Sequence, residues 1–159
     1  YDGGQVMQTF LPYPDFEASA KALDYRRLGK QRVEAMQLLN VLNNPDAKGW
    51  RNHPAVKMWR GYEYELALYG LTMSVEFYER GFDGYAMMMK FTELCNELQN
   101  TNTEKYPWFI GFEPLHTSHK SNLYRKDPEH YARYASVGNE LPYVWCEDNG
   151  FFRIGKKVA

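Results

Sequence analysis

Apolar residues recur every three or four positions along much of the chain, which is the period of an amphipathic helix. A short helix is predicted after Asp15, and a longer one follows Asp24, because either carboxylate can cap a helix. The apolar stripe of the longer helix includes one cation. Its members are Leu28, Arg32, Ala35, Leu39 and Leu42. The pattern therefore predicts a helix through "YRRLGKQRVEAMQLLNVL", in which Arg32 stands among core residues.

A second periodic stretch begins after the loop "NNPDAKGW". Asn52 can cap a helix there, and Pro54 is tolerated in the first turn. Apolar residues then repeat up to Gly81, a typical residue just past a helix end. They are Ala55, Trp59, Tyr62, Leu66, Tyr69, Met73 and Phe77. The pattern predicts one long helix, which Gly61 and Gly70 either kink or open to a close neighbour.

The remaining elements are shorter. Apolar residues at helical spacing between Tyr85 and Leu98 predict a third helix, with Cys95 in the core. "SHKSNLYRKDPEHYARY" reads as a polar helix broken by Pro128, and "YVWCEDNGFFRI" as a hairpin or a folded-back tail. The fold expected is all-α, a compact single-domain helical bundle over residues 7–159 with a short aromatic C-terminal hairpin or tail. Residues 1–6 are interpreted as a tag or flexible extension.

Composition narrows the functional classes. The 159 residues suit one domain, and 44% hydrophobic with 25% charged residues is typical of a soluble globular protein. We find no apolar run of membrane-spanning length and no leader, and the two cysteines form no CxxC pair, so we expect a cytoplasmic protein without a membrane partner. A net charge of -1 means that any nucleic-acid site has to be a local patch. We expect a monomer.

One row of the helix after Asp24 combines a carboxylate with several donors. Arg27, Gln31 and Glu34 share this row, and Lys30 precedes Glu34 by four residues. Nearby cations would lower the pKa of Glu34 and keep it ionised, ready to stabilise a developing cation or to take a proton. The alternative is a solvated helix face whose surface ion pairs contribute little.

Histidines mark two further candidate sites. His53 precedes Pro54, where it could bind a phosphate at the helix N-terminus or cap and pack. His116 and His119 are three residues apart, but a third metal ligand would have to come from His53, His130 or an acid, and no Cys cluster supports a site. No metal site and no cofactor are therefore predicted. The mixture of His, Lys, Ser, Asn and Arg in "HTSHKSNLYRKDP" suits a phosphodiester backbone better, and a solvated surface helix is the alternative.

Three blocks in this order resemble the pyrimidine-dimer DNA glycosylase family of phage endonuclease V. "VEAMQLLNVL" followed by "GWRNHP" resembles the family's Arg-Glu-Ala helix and the turn after it. "ELALYGLTMSVEFYERGF" resembles its long central helix, and "HTSHKSNLYRKDPEHY" resembles a later helix. The resemblance extends over most of the chain from Met7.

The resemblance implies a DNA glycosylase, with possible abasic-site lyase activity, that flips a damaged or modified pyrimidine out of double-stranded DNA. Glu34 would be the catalytic carboxylate, the α-amine of Met7 or a lysine such as Lys30 the nucleophile, and Arg32 would position a flanking phosphate. The DNA contacts implied are Arg26, Arg27, Lys30, His53, His116, His119, Lys120, Asn122, Arg125 and Lys126.

Two alternatives stay open. A second alignment sets "DYRRL" against the family's Glu-Tyr-Arg-Glu-Leu and places Arg27 at the catalytic position, which would abolish the chemistry. The scaffold could then serve as a non-catalytic nucleic-acid-binding module. A hydrolase or transferase acting on a nucleotide or modified base, using Glu34 with His53 or His119, is a further possibility.

Overall fold

The computed structural model describes residues 7–47, 49–100, 106–147 and 150–158. The α-helices within these ranges are α1 (Phe16–Ala22), α2 (Tyr25–Leu42), α3 (Pro54–Trp59), α4 (Glu63–Glu79), α5 (Tyr85–Leu98) and α6 (Glu113–Lys126). A 3-10 helix (Ala132–Val137) and two strands, β1 (Val144–Cys146) and β2 (Phe152–Ile154), follow. The predicted all-α fold with a C-terminal hairpin is confirmed. The extension expected at residues 1–6 lies outside the described residues.

Helix α2 forms as its sequence predicts. The Asp24 side chain accepts a hydrogen bond from the Arg27 amide and caps the helix. Leu28 and Leu39 are buried, and α2 packs against α4. Arg32 is accommodated in this stripe by stacking, because its guanidinium lies 3.9 Å from the centre of the Phe77 ring.

The single long helix expected after Pro54 is wrong, because the chain breaks between α3 and α4. Gly61 has a φ of 90°, a left-handed conformation that favours glycine, and it separates the two helices. The cap is one of the two candidates that the sequence offered. His53, rather than Asn52, caps α3, and its Nδ1 accepts a hydrogen bond from the Ala55 amide at 3.0 Å.

Helix α4 packs against α1, α2 and α5. Gly70 lies where α4 and α5 approach each other. A Cβ atom added at this glycine would lie 2.2 Å from Cε1 of Phe91, whose ring is fully buried. The expectation that Gly70 admits a close neighbour is therefore confirmed.

The segment 7–11 runs through the interior and is held by side chains from several helices. The Phe10 amide donates to Gln31 Oε1 at 2.9 Å, and the Leu11 amide donates to His119 Nδ1 at 2.8 Å. All five residues of the segment are buried. At the other end of the chain, β1 pairs antiparallel with β2 and packs against α3 and α6. Helix α6 therefore contacts both the segment 7–11 and the C-terminal hairpin.

Candidate active site

A cleft of about 250 Å³ opens beside α2. Its lining comes from the segment 7–11, from α2 and from the region of α6 and β1. The lining residues are Gln8, Phe10, Arg26, Arg27, Lys30, Gln31, Glu34, Lys126 and Tyr143. Five of them belong to α2. The helix row that the sequence singled out therefore does line a cleft rather than a flat solvated face.

Glu34 is the carboxylate of this cleft, and it is only 6% exposed. Its Oε2 atom accepts hydrogen bonds from the Gln8 amide at 3.2 Å and from Gln31 Nε2 at 3.1 Å. Its Oε1 atom lies 3.8 Å from the ammonium of Lys30, whose side chain is largely exposed. Among the described residues, two donors thus bind one oxygen of Glu34, while the other oxygen has only the ion pair with Lys30.

Burial raises the pKa of Glu34 to about 7, and the Gln8 amide, Lys30, Gln31 and Lys126 oppose this rise only in part. The expectation that neighbouring cations keep the pKa low is therefore wrong, because desolvation of the carboxylate outweighs them. Near neutral pH both the protonated and the ionised forms are populated. Such a group can donate or accept a proton during a reaction.

Four cations line the same cleft: Arg26, Arg27, Lys30 and Lys126. Arg27 forms an ion pair with Asp24 at 3.2 Å, at the start of the helix. Burial lowers the pKa of Lys126, and the charges of Arg27, Arg125 and Lys30 lower it further. With one lining carboxylate among these cations, the cleft is a local positive patch on a chain whose net charge is -1.

Arg32 lies on a different face of α2 from Glu34. The two residues are two positions apart, and side chains at that spacing on a helix point in directions about 200° apart. The Arg32 guanidinium stacks on Phe77, and its buried Nε has no hydrogen-bond partner in the described part of the chain. Burial lowers the pKa of Arg32. The structure therefore separates Arg32 from Glu34, and a role in positioning a phosphate at the cleft has no support from its position.

Three polar residues of α6 are buried, although we predicted that they contact DNA. Both ring nitrogens of His116 are engaged, with Nδ1 2.7 Å from the Leu11 carbonyl oxygen and Nε2 accepting from the Gly111 amide. His119 accepts from the Leu11 amide, and Asn122 donates to the Ser118 and Leu141 carbonyls. These side chains hold the backbone of neighbouring segments, and none of the three lines the cleft.

The other predicted DNA contacts also lie outside the cleft lining. The Lys120 ammonium lies 4.8 Å from the centre of the Tyr13 ring. Arg125 donates to the side chain of Asn122 and to a backbone carbonyl. His53 is buried at the cap of α3. Of the predicted contacts, the structure gathers Arg26, Arg27, Lys30 and Lys126 around Glu34.

Sequence reasoning missed Gln8, Phe10 and Tyr143, which line the cleft from outside regular elements. A local pattern gives no signal for them, because an irregular segment is placed by its long-range hydrogen bonds. The one hint in the sequence was that Gln8 directly follows Met7, whose α-amine the resemblance implies as a candidate nucleophile. Met7 itself is buried, one residue before the amide that binds Glu34.

The described residues offer neither a metal-binding cluster nor a membrane-spanning helix. No group of three or more His, Cys, Asp or Glu residues in these ranges could hold a metal ion. No helix in the described part of the chain combines the length and the apolar character needed to cross a membrane.

Comparison with known proteins gives a family match. A family model described as pyrimidine dimer DNA glycosylase matches residues 7–97, which include the segment 7–11 and helices α1 to α4. No curated protein and no solved structure matches the chain. The matched region covers more than half of the 159 residues and contains Glu34 with three of the four cleft cations. The chain therefore belongs to the pyrimidine dimer DNA glycosylase family.

Proposed function

We propose that this protein cleaves the N-glycosidic bond of a damaged or modified pyrimidine in double-stranded DNA, with Glu34 as its acid–base group. The observation that carries the proposal is the buried carboxyl of Glu34, whose pKa is about 7, in a cleft lined by four cations. The activity of the family supports a pyrimidine dimer as the substrate.

The charges of the cleft suit a DNA backbone. Arg26, Arg27, Lys30 and Lys126 would bind phosphates on either side of the lesion, since such contacts position DNA without reading its bases. The enzyme reaches a buried sugar by extruding the nucleotide from the stack, and a damaged step costs less to unstack. A cleft of about 250 Å³ suits one extruded nucleobase better than a larger ligand, for which pockets exceed about 300 Å³.

Glu34 would act on the leaving base and on the sugar. As the bond between the base and C1′ breaks, its electron pair goes to the base, and protonated Glu34 supplies the proton that neutralises it. The resulting carboxylate then lies beside the positive charge that develops at C1′. Gln8 and Gln31 hold Oε2, which leaves Oε1 as the oxygen available for proton transfer.

The proposed lyase step needs an amine. In a polypeptide that starts at Met7, the α-amine is one residue from the amide that binds Glu34, and its pKa of ~8 leaves more neutral amine than a lysine with a pKa of ~10.4. This amine would attack C1′ as the bond between C1′ and the base breaks and the base departs with that electron pair, and the amine nitrogen gives up a proton. Cleavage of the C1′–O4′ bond, with a proton going to O4′, would then open the sugar ring and leave an imine. Removal of a C2′ proton would then expel the 3′ phosphate, and water would release the amine. Lys30 and Lys126 are the other amines of the cleft.

The test compares a protein that begins at Met7 with the 159-residue chain, each mixed with borohydride and duplex DNA carrying a thymine dimer or an abasic site. We expect a trapped adduct at the Met7 amine of the shorter protein. Mapping an adduct to Lys30 or Lys126 would reassign the nucleophile. Base release without any adduct would keep the glycosylase and remove the amine from the mechanism.

The cation cluster alone also favours DNA binding without catalysis, which is the second candidate function. Glu34→Gln separates the two, because it keeps the shape of the side chain and removes its proton. A glycosylase loses about 100-fold or more in base release while it keeps its DNA affinity. A binding module releases no base in either form.

A further inference from the structure

Tyr69 of α4 places a hydroxyl in the interior of the protein, next to α2. Its ring is fully buried against Phe16 and Trp59, with ring centres 5.5 Å and 5.9 Å away. The hydroxyl donates to Gln31 Oε1 at 2.8 Å and lies 2.9 Å from the Phe10 carbonyl oxygen, a second acceptor. The aromatic neighbours leave the ring little freedom, so the hydroxyl stays beside Gln31.

The neighbours of Gln31 determine which way its side-chain amide points. The Phe10 amide donates to Oε1 at 2.9 Å, and an N–H group can be paired there only by an oxygen. The Tyr69 hydroxyl donates to the same oxygen. The NH₂ end therefore faces Glu34, where Nε2 donates to Oε2 at 3.1 Å. Because Gln31 is only 1% exposed, bulk water does not compete for these bonds.

This orientation decides which oxygen of Glu34 carries the proton. Oε2 accepts hydrogen bonds from the Gln8 amide and from Gln31 Nε2, and a proton on Oε2 would have to displace one of these donors. The proton is therefore carried by Oε1, the oxygen beside Lys30. When Glu34 gives up this proton, two donors are already in place to stabilise the charge that is left on the carboxylate.

We propose that Tyr69 is a positioning residue for base release, which acts through Gln31 to keep Oε2 of Glu34 occupied and Oε1 as the oxygen that transfers the proton. The inference rests on the proposed glycosylase function. Tyr69 itself does not line the cleft, so its effect has to pass along the hydrogen bonds. A hydrogen bond accepted at one end of an amide strengthens the bond donated at the other end by about 10–30%.

The charged and titratable groups that act on Glu34 come from several elements. They are Lys30 of α2, Lys126 of α6, Tyr69 of α4 and Tyr143, which precedes β1. Burial raises the pKa of Tyr69 well above its usual value and the pKa of Tyr143 to about 12, so both hydroxyls keep their protons near neutral pH. Both lysines are present in every variant compared. A difference in pH dependence between these variants therefore reports on Glu34.

The experiment uses the full chain and a duplex that carries a thymine dimer. Single-turnover glycosidic cleavage is read as strand breakage after alkali treatment, across about pH 5.5–9, and affinity for the duplex is read by titration. The variants are Tyr69→Phe, Gln31→Met and the two combined. Ser74→Ala is the matched control, because it removes another buried hydroxyl of α4, which donates to the Gly70 carbonyl at 2.8 Å.

We expect Tyr69→Phe to slow cleavage by about twofold to fivefold at low pH, where Glu34 is protonated in every variant. Cleavage by protonated Glu34 falls as the pH rises through its pKa. Without the hydroxyl, Gln31 is a weaker donor to the carboxylate, so this pKa rises and the fall in cleavage moves to higher pH. Ser74→Ala changes neither the rate nor its pH dependence.

Gln31→Met should change both quantities in the same directions and by more, with a loss of about tenfold in rate, because it removes a hydrogen bond to a charged group. Adding Tyr69→Phe to Gln31→Met should slow cleavage by less than about a further twofold, since the residue that transmits the effect is already gone. DNA affinity stays within about twofold in every variant, because neither Tyr69 nor Ser74 lines the cleft and Gln31→Met removes no charge.

An unchanged pH dependence in Tyr69→Phe would overturn the inference, because a purely structural loss lowers the rate equally at every pH. Equal slowing by Tyr69→Phe in the wild type and in Gln31→Met would also overturn it, since the hydroxyl would then act by a route other than Gln31. Either result leaves the glycosylase assignment standing, because Glu34→Gln tests that separately. If the wild-type chain binds the dimer but cleaves nothing, the proposed function fails and the inference fails with it.

If Tyr69→Phe fails to fold, carbon-13 NMR of the tyrosine rings decides in chains that keep Tyr69. In the wild type, the Cζ resonance of Tyr69 should shift with pH at the same midpoint as the carboxyl of Glu34. In Gln31→Met this shift should be clearly smaller. An equal shift in both chains, or no shift in the wild type, would overturn the inference.

Discussion

Glu34 Oε2 accepts a hydrogen bond from the amide of Gln8, a residue 26 positions earlier in the chain. The segment that begins there is held in turn by Gln31 at Phe10 and by His119 at Leu11. Residues of α2 and α6 therefore meet at one short stretch of backbone. The two histidines of α6 bind the backbone of this stretch at Leu11.

The raised pKa of Glu34 predicts a specific dependence of stability on pH. Between about pH 4.5 and pH 7 the folded protein holds the Glu34 proton and the unfolded chain does not, so the free energy of unfolding falls as the pH rises. The rise in the pKa of Glu34 from 4.5 to about 7 corresponds to a change of about 3 kcal/mol in the free energy of unfolding. Urea unfolding measures the free energy of unfolding of the wild type and of Glu34→Gln across this range. The difference between the two proteins should change by about 3 kcal/mol and level off above pH 7. A constant difference would contradict the buried carboxyl.

His119→Leu should destabilise the protein by about 1–3 kcal/mol, because the buried Leu11 amide loses its acceptor. His119→Asn should cost less, since its Oδ1 can stand where Nδ1 was. His130→Leu provides a surface comparison, because His130 is exposed. Urea midpoints measure all three. Equal losses in His119→Leu and His119→Asn would show that packing of the ring, rather than the hydrogen bond, is what matters.

Gly70→Ala tests the close approach of α4 and α5. In an exposed helix this change stabilises by roughly 1 kcal/mol, whereas here the new Cβ would lie 2.2 Å from the Phe91 ring. We expect a net loss of about 1–3 kcal/mol, the usual cost of overpacking. Phe91→Leu in the Gly70→Ala background should recover part of it. Thermal unfolding of the single and double variants gives the answer, and a stabilised Gly70→Ala would contradict the packing described.

The fold could be predicted where the signal is local. Helix α2 follows from its period and from Asp24, and the row that includes Lys30 and Glu34 is fixed once the helix exists, because spacing along one helix determines which side chains meet. At Gly61 the sequence predicted at most a kink, not a break between two helices. The apolar period continues across it, and the positive φ that separates α3 from α4 leaves no trace in that pattern.

The site could be predicted only in the part that one helix supplies. Gln8 and Tyr143 come from irregular segments whose positions depend on distant partners. For the buried polar residues of α6, the sequence predicted site residues that the structure places outside the cleft. His116 and His119 bind backbone groups in the interior, and their residue types are the same ones that bind phosphates at a surface. Residue type alone cannot distinguish binding to interior backbone from binding to a phosphate, because the two cases differ in whether the side chain is buried.

Lys126→Gln tests whether the cleft is the DNA-binding surface. Lys126 lines the cleft, whereas Lys90 is an exposed residue of α5 that does not, and Lys90→Gln removes the same charge. Neutralising one phosphate contact should reduce the slope of log affinity against log salt concentration by ~0.9, because one fewer counterion is released. Titrations of a lesion duplex at several salt concentrations should show this reduction for Lys126→Gln and an unchanged slope for Lys90→Gln. Equal slopes in the two variants would place the DNA elsewhere on the protein, and the assignment of Glu34 to the reaction would lose its geometric basis.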